Sequence, residues 1–176
     1  MEVRRFAGRT DVPGIVRAHG RAWRAAYDGL LSAAAIEDAV AVEPTEADVE
    51  RWLEGLRKSD AVLVAAGARV VGFADVRWSE GTKPFVGDDE AGLKAIYVDP
   101  DRWESGVGTA LLSAGLDALP DSVGRLRLEV LADNDRARRF YEIRGFERTG
   151  SRTVELAGER YPAVVYALEI GADTVG

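Results

Sequence analysis

The apolar residues of this chain recur with two different periods, which separate strand-like segments from helix-like ones. Alternating or continuous apolar runs of strand length lie at 2–6, 61–66, 70–78, 93–98, 126–131, 146–156 and 161–170. Apolar residues at helical spacing lie at 11–28, from 44 onwards, after 108 and at 134–145. The predicted order, β-α-α-β-β-β-α-β-α-β-β, indicates a mixed sheet with helices on both faces.

Glycine, proline and polar residues separate these segments. Turns are predicted at 67–69 and 158–160, and a long loop is predicted at 79–91. Loops of this length commonly carry substrate contacts. No repeat, low-complexity tract or linker divides the chain, so we predict one domain over 1–170 and a flexible C-terminal tail over 171–176.

The composition narrows the possible functions. The 176 residues carry a formal net charge of −7, which disfavours a general nucleic-acid-binding surface. No apolar run is long enough to span a membrane, and the N-terminal residues lead into a strand rather than an apolar leader. The absence of cysteine excludes disulfides and thiolate chemistry, and the single His19 excludes a multi-histidine metal site. We therefore predict a metal-free cytoplasmic protein, with His19 at the surface or partly packed.

A glycine pair follows the strand predicted at 93–98. Gly106 and Gly108 allow the backbone to approach a ligand closely, and the helix that follows brings a partial positive charge suited to phosphate. The pattern is neither a Walker loop nor a Rossmann fingerprint, because the required lysine and third glycine are missing. A glycine-rich helix start without a ligand is the alternative.

A second group of polar and small residues opens the helix predicted at 134–145. Asn134, Ala137 and Tyr141 are spaced i, i+3, i+7, so they lie in one stripe of the helix. The amide and the phenol are about 10 Å apart along the helix axis, which is the length of an extended small arm rather than of an atom-sized ligand. An ordinary amphipathic helix with core aromatics is the alternative.

Together, residues 98–112 and 134–146 resemble the GCN5-related N-acetyltransferase (GNAT) family. That family carries V-x-P, then a Q/R-x-x-G-x-G/A loop, then a helix with the pattern N-x-x-A-x-x-F/L-Y-x-x-x-G-F, in this order. The helix motif is matched at every defining position, the loop is matched in part, and the resemblance covers roughly 2–169. It implies an α/β fold (mixed α+β): a central mixed, mostly antiparallel twisted sheet of about seven strands flanked by four helices. It also implies acetyl-CoA as co-substrate, with no metal.

The resemblance assigns roles to individual residues. Backbone groups of Ile96, Tyr97 and Val98 would pair with the pantetheine arm, and an amide near Tyr97 would stabilise the oxyanion. Asn134 would bind the arm, and Tyr141 would act as general acid to the coenzyme A thiolate. The backbone amides expected to hold the pyrophosphate belong to Trp103, Glu104, Ser105, Gly106, Val107, Gly108 and Thr109.

The loop departs from the family pattern in its side chains. Trp103 stands where the family has glutamine or arginine, and Glu104 and Ser105 replace a glycine and a basic residue. The carboxylate of Glu104 would repel the phosphates unless it points to solvent. The arginines close enough in sequence to compensate are Arg102, Arg136, Arg138 and Arg139.

The base that neutralises the acceptor amine is a separate prediction. Some family members, notably protein N-terminal acetyltransferases, use a glutamate twelve residues before the tyrosine, and Glu129 has this separation from Tyr141. Alternatively, Glu129 is a solvated strand residue paired with Arg127 or Arg144. Glu90, Asp89 or water are then the alternative bases.

These observations predict an acetyl-CoA-dependent N-acetyltransferase that acts on a primary amine by direct attack within a ternary complex. The alternative is a non-catalytic coenzyme A-binding or regulatory module with a degraded phosphate loop. The acceptor is a small-molecule amine or a protein N-terminal amine, and the acids at 88–90 indicate a cationic one. Trp23, Tyr27 and Tyr161 either line the acceptor site or belong to the core. A homodimer is possible because dimers are common in the family.

Overall fold

A computed structural model describes residues 1–41 and 43–170. Its seven strands are β1 (Glu2–Arg5), β2 (Ala61–Ala66), β3 (Val70–Arg77), β4 (Glu90–Val98), β5 (Arg125–Leu131), β6 (Glu147–Leu156) and β7 (Glu159–Glu169). Its helices are α1 (Val12–Tyr27), α2 (Ala33–Ala39), α3 (Glu46–Leu56), α4 (Val107–Asp117) and α5 (Asp135–Ile143). Arg9–Asp11 and Pro100–Arg102 form short 3-10 helices.

The strands form one sheet in the order β1-β2-β3-β4-β5-β7-β6. Every neighbouring pair is antiparallel except β4 and β5, which run parallel. This arrangement confirms the predicted seven-stranded, mostly antiparallel mixed sheet. The hairpin predicted at 67–69 is also confirmed, since Ala66 pairs with Val70 across it.

Helices cover both faces of the sheet. Side chains alternate between the two faces along β2, so this strand contributes to the core on each side. Leu63 and Ala65 belong to the core cluster that includes α4 residues, whereas Val62 and Val64 pack with residues of α1 and α3. Because the side chains of 61–65 are all buried on one face or the other, the sequence of β2 is a continuous apolar run.

Three local features differ from the sequence-based expectation. Helix α2 was not predicted; its N-cap is Ser32, whose side chain accepts a hydrogen bond from the Ala35 amide, and it makes the described helices five rather than four. Strand β4 begins at Glu90 rather than at 93, so Glu90 is a buried strand residue and not part of the loop. The last turn spans two residues, 157–158, instead of the predicted 158–160. The predicted tail at 171–176 lies outside the described residues.

The sheet opens between its two parallel strands. Strand β5 pairs with β4 only at Glu90, Ala91 and Gly92, although both strands continue well beyond these pairs. On its other edge β4 stays paired with β3, and the register shifts so that Lys94 is an extra residue between the pairs made by Leu93 and Ala95. The separated strand ends form a wedge that opens toward α1 and α5. Within the described residues, every helix is too short or too polar to cross a bilayer.

Candidate active site

A cleft of about 590 Å³ occupies this wedge, between α1, the diverging ends of β4 and β5, the start of α4, and α5. Eleven of the predicted site residues line it, namely Ile96, Tyr97, Val98, Trp103, Glu104, Gly106, Gly108, Thr109, Glu129, Asn134 and Tyr141. Two predicted residues do not. Val107 is buried in the core cluster, and the exposed Ser105 donates its hydroxyl to the carbonyl oxygen of Arg102.

Strand β4 contributes an open backbone edge to the cleft. Residues 93–98 are paired with β3 on one side, and within residues 1–41 and 43–170 no strand pairs with them on the other. Ile96 and Tyr97 lie on this edge, and so does Val98, whose carbonyl oxygen accepts a hydrogen bond from the Trp103 indole at 2.8 Å. The edge offers main-chain donors and acceptors to an extended ligand.

The loop between β4 and α4 presents amides to the same cleft. Glu104 has a φ of 63° and Gly106 a φ of 89°, and left-handed residues of this kind turn successive amides toward one side. The first-turn amides of Val107, Gly108 and Thr109 have no acceptor within α4. The prediction for the Trp103 amide is wrong, because that amide already donates to the carbonyl oxygen of Pro100 at 3.1 Å.

A guanidinium from α5 compensates for the departures from the family pattern at Trp103 and Glu104. The Arg136 guanidinium carbon lies 4.3 Å from the centre of the Trp103 ring, and a guanidinium nitrogen lies 3.7 Å from a Glu104 carboxylate oxygen. The Glu104 side chain is 82% exposed and points away from the interior. The loop therefore keeps a positive charge beside its amides, supplied by Arg136 held on the indole face.

The other arginines near the loop divide into two groups. Arg102 and Arg139 line the cleft with Arg136. Arg138 was also expected to compensate for Glu104, but it points elsewhere, since it donates to the Tyr166 hydroxyl at 3.0 Å and to the Ala132 carbonyl at 3.1 Å.

Helix α5 presents the predicted stripe to the cleft. The Asn134 side-chain oxygen caps the helix by accepting a hydrogen bond from the Ala137 amide at 3.2 Å, which leaves the side-chain nitrogen as donor. Ala137 and Tyr141 line the cleft below it.

Phe140 of this helix and Arg144, which follows the helix, were not predicted as cleft residues. Arg144 stacks on Phe140, with 3.7 Å from its guanidinium carbon to the ring centre, and also bonds to Thr109. The signal available in the sequence was their i, i+4 spacing.

Three phenols and one amide meet at the inner end of the cleft. Tyr141 is 7% exposed, and burial raises the pKa of its hydroxyl above the ordinary value. Burial likewise raises the pKa of Tyr97 and of Tyr27, and the Tyr27 phenol lies beside Tyr97 and Asn134. All three hydroxyls are therefore protonated at neutral pH, which suits proton donation to a basic group.

Glu129 lies on β5 with its side chain 17% exposed and lines the cleft. Its partners are Lys83 at 3.3 Å and Arg152 at 3.1 Å, so the prediction of Arg127 or Arg144 as partner is wrong. Arg127 instead bonds to Glu90 and to the Phe85 carbonyl, and Arg144 bonds to the Phe140 carbonyl.

Glu90 lies at the wrong end of β4 to act as base. Seven residues of strand separate it from Tyr97, roughly 20 Å. Burial would raise its pKa, but the bond from the Gly87 amide and the Arg127 guanidinium hold that pKa below its ordinary range. Glu90 therefore stabilises the start of the strand, beside the exposed Asp88 and Asp89, and the acids at 88–90 do not support a cationic acceptor.

The remaining predicted aromatics lie on the α1 and α2 side. Trp23, Tyr27 and Tyr161 pack against the small cluster of α2, and Tyr27 also lines the cleft. His19 is partly packed, as predicted, and lies between Trp23, Trp52 and Tyr97. Among the residues that the structure describes, no three carboxylate or imidazole groups converge to hold a metal ion.

Comparison with known proteins shows which family this chain is similar to. The profile of the Acetyltransferase (GNAT) family matches residues 23–146. A curated mycothiol acetyltransferase of Kineococcus radiotolerans is 32% identical over 164 residues, which cover 89% of this chain and 52% of that protein. The chain thus spans about half the length of this relative.

Solved structures of low sequence identity share the fold. The PaiA N-acetyltransferase of Thermoplasma acidophilum, in complex with coenzyme A, matches with a TM-score of 0.70 at 19% identity, over 96% of this chain and 98% of that chain. A GCN5-related N-acetyltransferase of Rhodopseudomonas palustris matches with a TM-score of 0.72 at 22% identity, over 96% and 95% of the two chains. These likenesses confirm the predicted fold class. The profile match, which covers more than half of the sequence, shows that the chain belongs to the GNAT family of acetyltransferases.

Proposed function

We propose that this chain is an acetyl-CoA-dependent N-acetyltransferase that transfers the acetyl group directly to a primary amine. The observation that carries the proposal is the open edge of β4, which runs from the amide-rich loop at 104–109 to the phenol of Tyr141 within one cleft. Membership of the acetyltransferase family supports the same activity.

The coenzyme has a defined place in this proposal. The loop amides of 104 and 106–109 bind the pyrophosphate, and Arg136 adds a guanidinium beside them. The pantetheine arm extends along Ile96 and Tyr97 as an added strand. The Asn134 side-chain nitrogen donates to an amide oxygen of the arm.

The chemical step then needs a base, an oxyanion donor and an acid. The neutral amine nitrogen attacks the thioester carbonyl carbon, the new C–N bond forms, and the C–S bond breaks. A backbone amide of β4 near Tyr97 stabilises the oxyanion, and Tyr141 donates its proton to the leaving thiolate. Glu129 accepts the amine proton, directly or through water. Its carboxylate first gives up its ion pair with either Lys83 or Arg152.

A thiol-release assay and calorimetry with acetyl-CoA test the acid role. Tyr141→Phe should lower kcat about a hundredfold or more, which is the usual contribution of a positioned acid, and should change the Kd of acetyl-CoA only slightly. The matched control is Tyr166→Phe, which removes a hydroxyl that bonds Glu142 on the far side of α5. Equal losses of turnover and of coenzyme affinity in Tyr141→Phe would remove the acid role.

A non-catalytic coenzyme A-binding module is the second possibility, favoured by the acidic side chain in the phosphate loop. The exposure of Glu104 and its pairing with Arg136 weaken that argument. Acetyl-CoA binding without thiol release on any amine of a broad panel would establish the module instead.

Three further predictions concern the acceptor, the cellular location and the oligomeric state. The acceptor is a small molecule or a protein N-terminus, the location is cytoplasmic, and the protein forms a homodimer. An acceptor panel, cell fractionation and sedimentation equilibrium test them in turn.

A further inference from the structure

A second cavity of about 320 Å³ lies beside the coenzyme cleft, between α1, α3, β3 and β4. The two cavities share Lys94, Ala95 and Tyr97 in their linings, so they are adjacent across β4. None of the coenzyme-binding roles above uses this second cavity.

Aromatic rings form much of its wall. The His19 ring centre lies 4.8 Å from that of Trp52 and 5.0 Å from that of Tyr97, and Trp52 lies 6.1 Å from Phe73. Burial lowers the pKa of His19 to about 4, so the imidazole is neutral at physiological pH. The aromatic part of the wall therefore suits an apolar or aromatic group. Charged side chains line the rest of the cavity, namely Arg51, Asp75, Arg77 and Lys94.

Lys94 stands where the two cavities meet. It is the extra residue of the register shift in β4, and bulges of this kind redirect a side chain next to an active site. Within the described residues no carboxylate lies at salt-bridge distance from its ammonium. The neighbouring cations already have partners, since Arg77 pairs with Asp75, Lys83 with Glu129 and Arg51 with Asp48.

The charge around Lys94 is positive although the whole chain is acidic. Lys94 is an exposed residue, and partial desolvation of its ammonium is the largest cause that lowers its pKa. Arg77, Lys83 and Lys58 lower that pKa further, while Asp75 acts in the opposite direction. Lys58 and Lys83, the other two lysines of the chain, thus both lie within electrostatic range of Lys94. A field of this sign repels a cationic acceptor body and attracts an anionic one.

We propose that the acceptor is an α-amino carboxylate with a large apolar side chain, bound across these two cavities. Its carboxylate pairs with Lys94, its side chain occupies the aromatic cavity, and its amino group enters the cleft. This inference rests on the proposed N-acetyltransferase function and names its substrate class. The amino nitrogen forms the amide bond with the acetyl carbon, the thioester C–S bond breaks, and the products are an N-acetylamino acid and coenzyme A thiol.

The test compares two acceptors that differ only in the carboxylate. Phenylalanine and phenylethylamine share the ring and the primary amine, and kcat/KM for each is measured by thiol release at saturating acetyl-CoA. We expect phenylalanine to be preferred at least tenfold. Lys94→Met keeps an unbranched side chain but removes the charge, and it should reduce that preference tenfold to a hundredfold through the KM of phenylalanine, as for the loss of a charge-assisted bond. Lys94→Arg should restore part of it.

The matched control is Lys58→Met, which removes a nearby ammonium that lines neither cavity. It should leave the preference unchanged. The inference is overturned if phenylethylamine is the better acceptor, if neither compound is acetylated while other amines are, or if both lysine variants lower the preference equally. A protein that binds acetyl-CoA but acetylates no amine would instead overturn the proposed function on which the inference rests.

Discussion

His19 gives the chain a measurable sensitivity to acid. The imidazole is enclosed by Trp23, Trp52 and Tyr97, and burial lowers its pKa from 6.5 to about 4. In the unfolded chain the same imidazole has its ordinary pKa and binds a proton below about pH 6.5. Between the two values only the unfolded state is protonated, so acidification favours unfolding.

The size of the effect follows from the two pKa values. Above pH 6.5 both states are neutral and His19 contributes no pH dependence. At pH 5 the linkage relation gives a loss of about 2 kcal/mol in the free energy of unfolding, and the loss levels off at about 3 kcal/mol below the folded-state value. This is a large share of the 5–15 kcal/mol that stabilises a typical domain.

Two measurements check this. Because His19 is the only histidine, its imidazole proton resonances give the folded-state pKa without assignment of other rings. Urea unfolding of the parent protein and of His19→Phe between pH 7 and 4.5 isolates its contribution, since acid titration of the carboxylates is common to both. A resonance midpoint above pH 6, or parallel stability curves for the two proteins, would refute the reasoning.

Two further predictions concern the coenzyme cleft. Trp103→Leu removes the indole bond to Val98 and the stack with Arg136, so calorimetry should show acetyl-CoA affinity reduced about tenfold; Trp103→Phe should fall between, and unchanged affinity in both would contradict this role. Asn134→Ala removes the cap on the Ala137 amide and should lower the free energy of unfolding by about 1 kcal/mol in urea titrations. Asn134→Ser should restore the stability but not the coenzyme affinity; recovery of both would limit the residue to capping.

The sequence predicted the features that depend on near neighbours in the chain. The periods of two and 3.6 are local, so the order of strands and longer helices followed from them. The stripe of Asn134, Ala137 and Tyr141 faces one cleft because a single helix carries it. Helix α2 was missed because it is short and its apolar residues are buried partly by side chains from elsewhere in the chain, such as Trp23 and Tyr161.

The features that were missed depend on distant parts of the chain. Arg127, two residues away on the same strand, and Arg144 were proposed as partners of Glu129. The sheet order instead brings Arg152 from β6, two strands away, and the loop before β4 brings Lys83. The stack of Arg136 on Trp103 likewise requires α5 to lie over the loop, which no local pattern reveals.

Because β4 and β5 stop pairing early, the main chain and the side chains of β4 contact different molecules in the proposed complex. Main-chain groups at 93–98 contact the coenzyme, and every amino acid except proline offers the same donor and acceptor there. The side chains of that strand are then free to diversify, as Lys94 illustrates beside the aromatic cavity. Mutations along this strand can change which amine is chosen while the acetyl donor stays the same, which is a route by which one scaffold acquires many acceptors.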